Sequence, residues 1–112
     1  MTTQIDLSIE QRVGRVRFHS PNGVQIFSAA TRQRLADVLT ELERTEDLQV
    51  ALFEAEGRTF IAGADIHELK ALTSESAVTL ALEGQRLMQR IARLDAVTVV
   101  ALHAACAGGG CE

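Results

Sequence analysis

Residues 97–112 read Val97-Thr98-Val99-Val100-Ala101-Leu102-His103-Ala104-Ala105-Cys106-Ala107-Gly108-Gly109-Gly110-Cys111-Glu112. The apolar run of residues 97–102 has the pattern of a buried strand. Three glycines and a carboxylate follow it. Glycine loses the most conformational freedom on folding, so a run of it marks a tight turn or a close approach of backbone to something else. A helix starting there would point free N–H groups outward, with the positive end of its dipole behind them. Such an end suits an anion, or a carbonyl oxygen becoming negative. Glu112, in the first turn of that helix, would stand beside the spot and could move a proton. On the glycines alone, a plain strand-to-helix turn is the simpler reading. A second stretch, Phe60-Ile61-Ala62-Gly63-Ala64-Asp65-Ile66, shifts the balance.

Outward from these two stretches the chain alternates strand and helix. Ile5, Leu7 and Ile9 alternate with polar residues, and so do Val16 and Phe18, which predicts a hairpin turning over residues 11–14. Pro21-Asn22-Gly23 breaks the chain. Ser28 is a plausible N-cap for a helix running to Arg44. Leu35, Val38, Leu39 and Leu42 share one face of it. The charges Arg32, Arg34, Asp37, Glu41 and Arg44 read as its solvated face. Val50-Ala51-Leu52-Phe53 reads as a strand buried on both faces. Ile66, Leu69 and Leu72 mark a short helix. Ser74 can cap a longer one, in which Leu80, Leu87, Ile91 and Leu94 share a face. This order specifies an α/β fold.

A chain of 112 residues is one domain at most. The 15 acids outnumber the 11 bases, for a net charge of −4, so no basic footprint for nucleic acid exists. Four Phe with no Trp or Tyr give no base-stacking platform. The first residues lack the basic and apolar regions of a signal peptide. No apolar run approaches the ~20 residues of a membrane span, and a cytoplasmic protein without a membrane partner is expected. Cys106 and Cys111 read as small buried thiols in a reducing compartment, and no ligand set has metal-binding spacing.

Both glycine-bearing loops follow a strand and open a helix. In open α/β sheets, ligands bind beyond the carboxyl ends of the strands. Two such loops can aim one backbone N–H each at a single carbonyl oxygen, forming an oxyanion hole. The spacing is not G-x-G-x-x-G, and no G-K-[ST] occurs. His19, His67 and His103 lie far apart in sequence, and none has an obvious nucleophile, so no catalytic triad can be argued.

The segment Glu54-Ala55-Glu56-Gly57-Arg58-Thr59-Phe60-Ile61-Ala62-Gly63-Ala64-Asp65-Ile66, and Ala107-Gly108-Gly109-Gly110-Cys111-Glu112 some forty residues on, resemble the N-terminal half of the enoyl-CoA hydratase/isomerase (crotonase) family. Two motifs in this order and at this separation are specific where either alone is weak. The resemblance implies a crotonase-like β-β-α spiral, truncated after the fourth main strand, with residues 1–112 as the N-terminal portion of a single domain. It implies an acyl-CoA thioester as substrate and no separate cofactor, coenzyme A being part of the substrate. The thioester oxygen would sit between the N–H groups of Ala64 and Gly109. Glu112 matches the first catalytic glutamate, which works with a second on the water added to the 2,3 double bond. Ala62, Gly63, Ala64, Asp65 and Ile66 match the loop along which coenzyme A lies, and Gly23 and Val24 match a second lining segment. Full-length relatives form homo-oligomers, trimers or hexamers. Departures are Gln25 where the family has Asn, His103-Ala104 before the glycines, and His67 where some members have lysine. No second glutamate follows Glu112, so the 112 residues alone are expected to hydrate enoyl-CoA poorly. The alternative is a truncated non-catalytic relative that binds acyl-CoA or associates with another chain.

Overall fold

The computed structural model describes residues 2–112. The elements are β1 (Gln4–Glu10), β2 (Val13–His19), β3 (Ile26–Phe27), α1 (Ala29–Arg44), β4 (Val50–Ala55), β5 (Gly63–Ala64), α2 (Ile66–Lys70), α3 (Ser74–Ala92) and β6 (Val97–Val100), followed by a 3₁₀ turn at Gly108–Gly110. They form a four-stranded sheet in the order β1-β2-β4-β6 and a two-stranded sheet of β3 and β5.

β1 and β2 pair antiparallel with Glu10 opposite Val13. The hairpin turn is therefore only Gln11-Arg12, both with positive φ, as a tight turn matching strand twist demands. Gly14, expected in the turn, lies inside β2. A Cβ there would fall 2.5 Å from Leu42 Cδ2, so a larger residue would have to displace the Leu42 side chain where the strand passes under α1. β4 joins β2 and β6 joins β4 in parallel. The helices α1 and α3 make those crossovers.

α1 begins at Ser28, whose side chain accepts from the Thr31 N–H. The predicted stripe Leu35, Val38, Leu39 and Leu42 is buried with Ile5, Val16, Phe18, Ala51 and Phe53. Each of these side chains contributes roughly 1.5–3 kcal/mol relative to exposure, Ala51 less.

Four expectations are corrected. β4 buries one face: Ala51 and Phe53 point inward while Leu52 is half-buried. On the outer face Glu54 is paired by Arg15 and Arg17 at 3.3 and 3.1 Å. α3 is capped by Thr73, whose side chain and that of Ser76 form a reciprocal capping box, so Ser74 is the first helical residue instead. Residues 97–102 are not buried: Val97, Val99, Val100 and Leu102 are all more than 40% exposed. β6 is an edge strand that pairs with β4 alone, and its α3-facing side opens on a cavity. Arg32 is not solvated, as described below.

Candidate functional site

The loops that follow β4 and β6 run side by side. The Phe60 N–H donates to Ala105 O at 2.9 Å, and the Ala107 N–H donates to Ile61 O at 3.0 Å. On the other side, the Ala62 N–H donates to Gln25 O at 2.8 Å, and β3 pairs in parallel with β5. Three strand-like segments thus carry residues 25–27, 62–64 and 107–110 to one place.

Small residues make this approach possible. A Cβ on Gly110 would lie 2.7 Å from both Ile61 Cβ and Ile61 O, and one on Gly109 would lie 3.1 Å from the Phe27 ring. Gly108 has φ +55, in the left-handed region. A Cβ built on it would stand 3.5 Å from Gly63 Cα and 4.0 Å from the Ala64 nitrogen. Gly108, the residue before Gly109, therefore lies against the Gly63–Ala64 segment. Within the 3₁₀ turn the Gly110 and Cys111 N–H groups donate to Ala107 O and Gly108 O, each at 3.0 Å. The Gly109 N–H precedes that ladder and is left outside it.

The three glycines form a single 3₁₀ turn, and Glu112 lies beyond it, exposed. Glu112, Gly109 and Gly110 border a cavity of about 340 Å³ whose other walls are mostly apolar, among them Phe27, Phe60 and Ile91. Cys111 is exposed and Cys106 half-buried, which corrects the expectation of two buried thiols.

The predicted coenzyme A segment runs through β5 into the start of α2. Ala62 is half-buried, Gly63 is buried with φ +125, and Ala64 and Ile66 are exposed. Asp65 is the N-cap of α2 and accepts from the His67 N–H at 2.9 Å. Gly23 O accepts from Arg58 N at 2.7 Å and Thr59 N at 3.2 Å. The Val24 N–H donates to Asn22 Oδ1 at 3.0 Å, and Val24 O accepts from Ser20 Oγ at 2.9 Å. Gly23 therefore braces the start of the β4–β5 loop, while Val24 is held within its own turn. His19 pairs with Asp6, and His103 bonds Gly57 O at 2.9 Å, so neither shares a site with a nucleophile. Among the described residues no group of three or more His, Cys, Asp or Glu could hold a metal ion.

Two residues at this place were read otherwise or not at all from the sequence. Arg32 is only 5% exposed. Its guanidinium donates to Phe27 O at 3.1 Å and to the Glu68 carboxylate, with Glu83 at 3.5 Å. The other Glu68 oxygen accepts from the Ala29 N–H at 2.9 Å, at the N-terminus of α1. The Arg32–Glu68 pair thus ties α2, and the Ala64-Asp65 turn before it, to α1. The signal was present: Arg32 lies three residues before Leu35 and seven before Leu39, inside the apolar stripe. Gln25 is fully buried; its side-chain amide bonds Glu56 O, and its backbone N–H donates to Thr59 Oγ1 at 3.1 Å. It holds the loop that leads to Ala62.

The sequence profile of the enoyl-CoA hydratase/isomerase family matches residues 8–112. The chain belongs to that family. A Bacillus subtilis protein named as a probable enoyl-CoA hydratase is 34% identical over 109 residues, 96% of this chain and 42% of the relative. The fatty acid oxidation complex subunit alpha of Idiomarina loihiensis is 32% identical over 93% of this chain and 15% of its own length. The crystal structure of an enoyl-CoA hydratase from Shewanella pealeana superposes with a TM-score of 0.87 at 23% identity, over 95% of this chain and 41% of that one. The fold is therefore that of the crotonases, of which this chain spans the N-terminal part. It covers less than half the length of these relatives.

Proposed function

We propose that this family member supplies the thioester-binding part of an enoyl-CoA hydratase/isomerase active site. The thioester oxygen of a 2-enoyl-CoA is received between the N–H groups of Ala64 and Gly109. As water adds at C3, or as a proton leaves or joins C2 or C4, negative charge collects on that oxygen. Two preorganised donors stabilise it without reorganising at the moment of reaction. Glu112, on the same cavity rim, moves the proton. Coenzyme A lies along Ala62, Gly63, Ala64, Asp65 and Ile66, with Gly23 and Val24 behind them. The observation that carries this reading is the juxtaposition of Gly108 with the Ala64 nitrogen, next to a Gly109 N–H unused by its own turn. Coenzyme A arrives as part of the substrate, so no separate cofactor is needed.

Calorimetric titration of the chain with a short 2-enoyl-CoA tests this. Removing one donor with Gly109→Pro should weaken binding by about tenfold, the worth of one hydrogen bond. Circular dichroism and the outer-face variant Asp37→Asn, which should bind as the parent chain does, serve as controls. Equal affinity in the folded Gly109→Pro variant contradicts the reading.

A second reading, association with another chain, is supported by the exposed apolar residues of β6, Val97, Val99 and Val100. The homo-oligomer and the cytoplasmic location expected from the sequence belong with it as proposals. No helix among the described residues is long and apolar enough to cross a membrane.

A further inference from the structure

The two thiols bracket the glycine turn. Four residues, Ala107 and the three glycines, separate them. Their sulfurs lie 3.6 Å apart, and the Cys111 thiol also points at Cys106 O at 3.5 Å. Both thiols are free. A disulfide needs the sulfurs at about 2.05 Å, so closure requires a shift of about 1.5 Å. The segment that would absorb it is glycine-rich, and Gly108 is already in a backbone region other residues avoid.

We propose that Cys106 and Cys111 form a reversible redox pair whose closure locks the Gly108–Gly110 turn. The exposed Cys111 reacts first. Its thiolate attacks a low-molecular-weight disulfide such as oxidised glutathione, forming a mixed disulfide and releasing one glutathione thiolate. The Cys106 thiolate then attacks Cys111 Sγ, forming the internal bond and releasing the second glutathione. The protein pair loses two electrons and two protons; oxidised glutathione is reduced to two thiols. The hydrogen bond with Cys111 holds the Cys106 thiol above its ordinary pKa, consistent with Cys106 being the resolving partner. Because the turn carries the Gly109 N–H, closure moves that donor and Glu112 beside it. The chemistry stands without the thioester reading; only the consequence at Gly109 bears on it.

The test equilibrates the folded chain at graded ratios of reduced to oxidised glutathione, traps thiols by alkylation, and weighs the tryptic peptide of residues 94–112. A synthetic peptide of residues 102–112 is treated in parallel. The expected result is a peptide lighter by two hydrogen atoms and free of glutathione. Half-conversion should come at a thiol-to-disulfide ratio about tenfold more reducing than for the synthetic peptide, since tenfold in the constant is 29.6 mV. Cys106→Ser should instead stop at one glutathione adduct on Cys111. The Gly109 amide resonance should differ between the two forms. Equal midpoints for chain and synthetic peptide, stable glutathione adducts on the unaltered chain, or bridges only between chains would overturn the proposal.

Discussion

On β2 and β4, Val16 and Ala51 are fully buried with Val38 and Leu39 of α1. On β6, one strand further across the same sheet, Val97 is 65% exposed and Val100 50%. The side chains are of one kind, and the strands are bonded in one ladder. What differs is cover: α1 lies over the first pair, while a cavity lies beside the second. An apolar run reports that a strand forms, and a neighbouring layer decides whether it is buried. The candidate site sits on the boundary between these regions. Its β3–β5 side is anchored to the packed half through Arg32, and its glycine turn extends from the open half.

The contrast breaks most readily at its packed end. Leu39→Ala should cost about 3–4 kcal/mol, as for other fully buried leucines, while Val99→Ala should stay within about 1 kcal/mol. Urea denaturation of the two variants measures both, and similar losses would show that the regions are not packed differently.

Arg32→Met sharpens the boundary. It leaves the Glu68 carboxylate without its cation, and hydrogen bonds to charged groups contribute about 1.5–3 kcal/mol each. The expected loss is about 2–3 kcal/mol. Amide exchange should rise in α2 while residues 38 and 39 stay protected. Unchanged protection in α2 would mean that the pair does not hold it.

How far the sequence carried this picture differs between the same two regions. The apolar stripe of α1, its Ser28 cap and the β1–β2 hairpin were legible, because local periodicity and capping chemistry determine them. That the two small-residue loops run side by side was anticipated from their places at the ends of parallel strands and from the family resemblance. Arg32 was misread because its charge outweighed its position in the helical period. The exposure of β6 depends on absent cover, which no local pattern encodes. The 3₁₀ turn lies on three glycines, which bend tightly and supply little helix propensity. The thiols were judged by composition, and their 3.6 Å approach is a product of that turn.

The smallest expected effect lies on the surface that joins α1 to α3. Arg90 bonds Glu43 at 2.7 Å and holds its carboxyl below the ordinary value, chiefly through that hydrogen bond. A depressed folded pKa means that the pair's contribution is present above the unfolded value of about 4.3 and is lost as pH falls through the folded one. Both side chains are partly exposed, so Glu43→Gln should cost less than about 1 kcal/mol at neutral pH. The difference from the parent should shrink on acidification below that range. A difference that grows as pH falls would contradict the assignment.

The central claim is that the Ala64 and Gly109 amides address one thioester oxygen. Amide ¹⁵N–¹H spectra of the chain, titrated with coenzyme A and separately with a short 2-enoyl-CoA, test it most directly. The account predicts that coenzyme A shifts residues 62–66, and that only the thioester further shifts Ala64 and Gly109 together. Thioester-dependent shifts that miss both amides, or that fall on Asp37 and Glu41 of the outer α1 face, would contradict it.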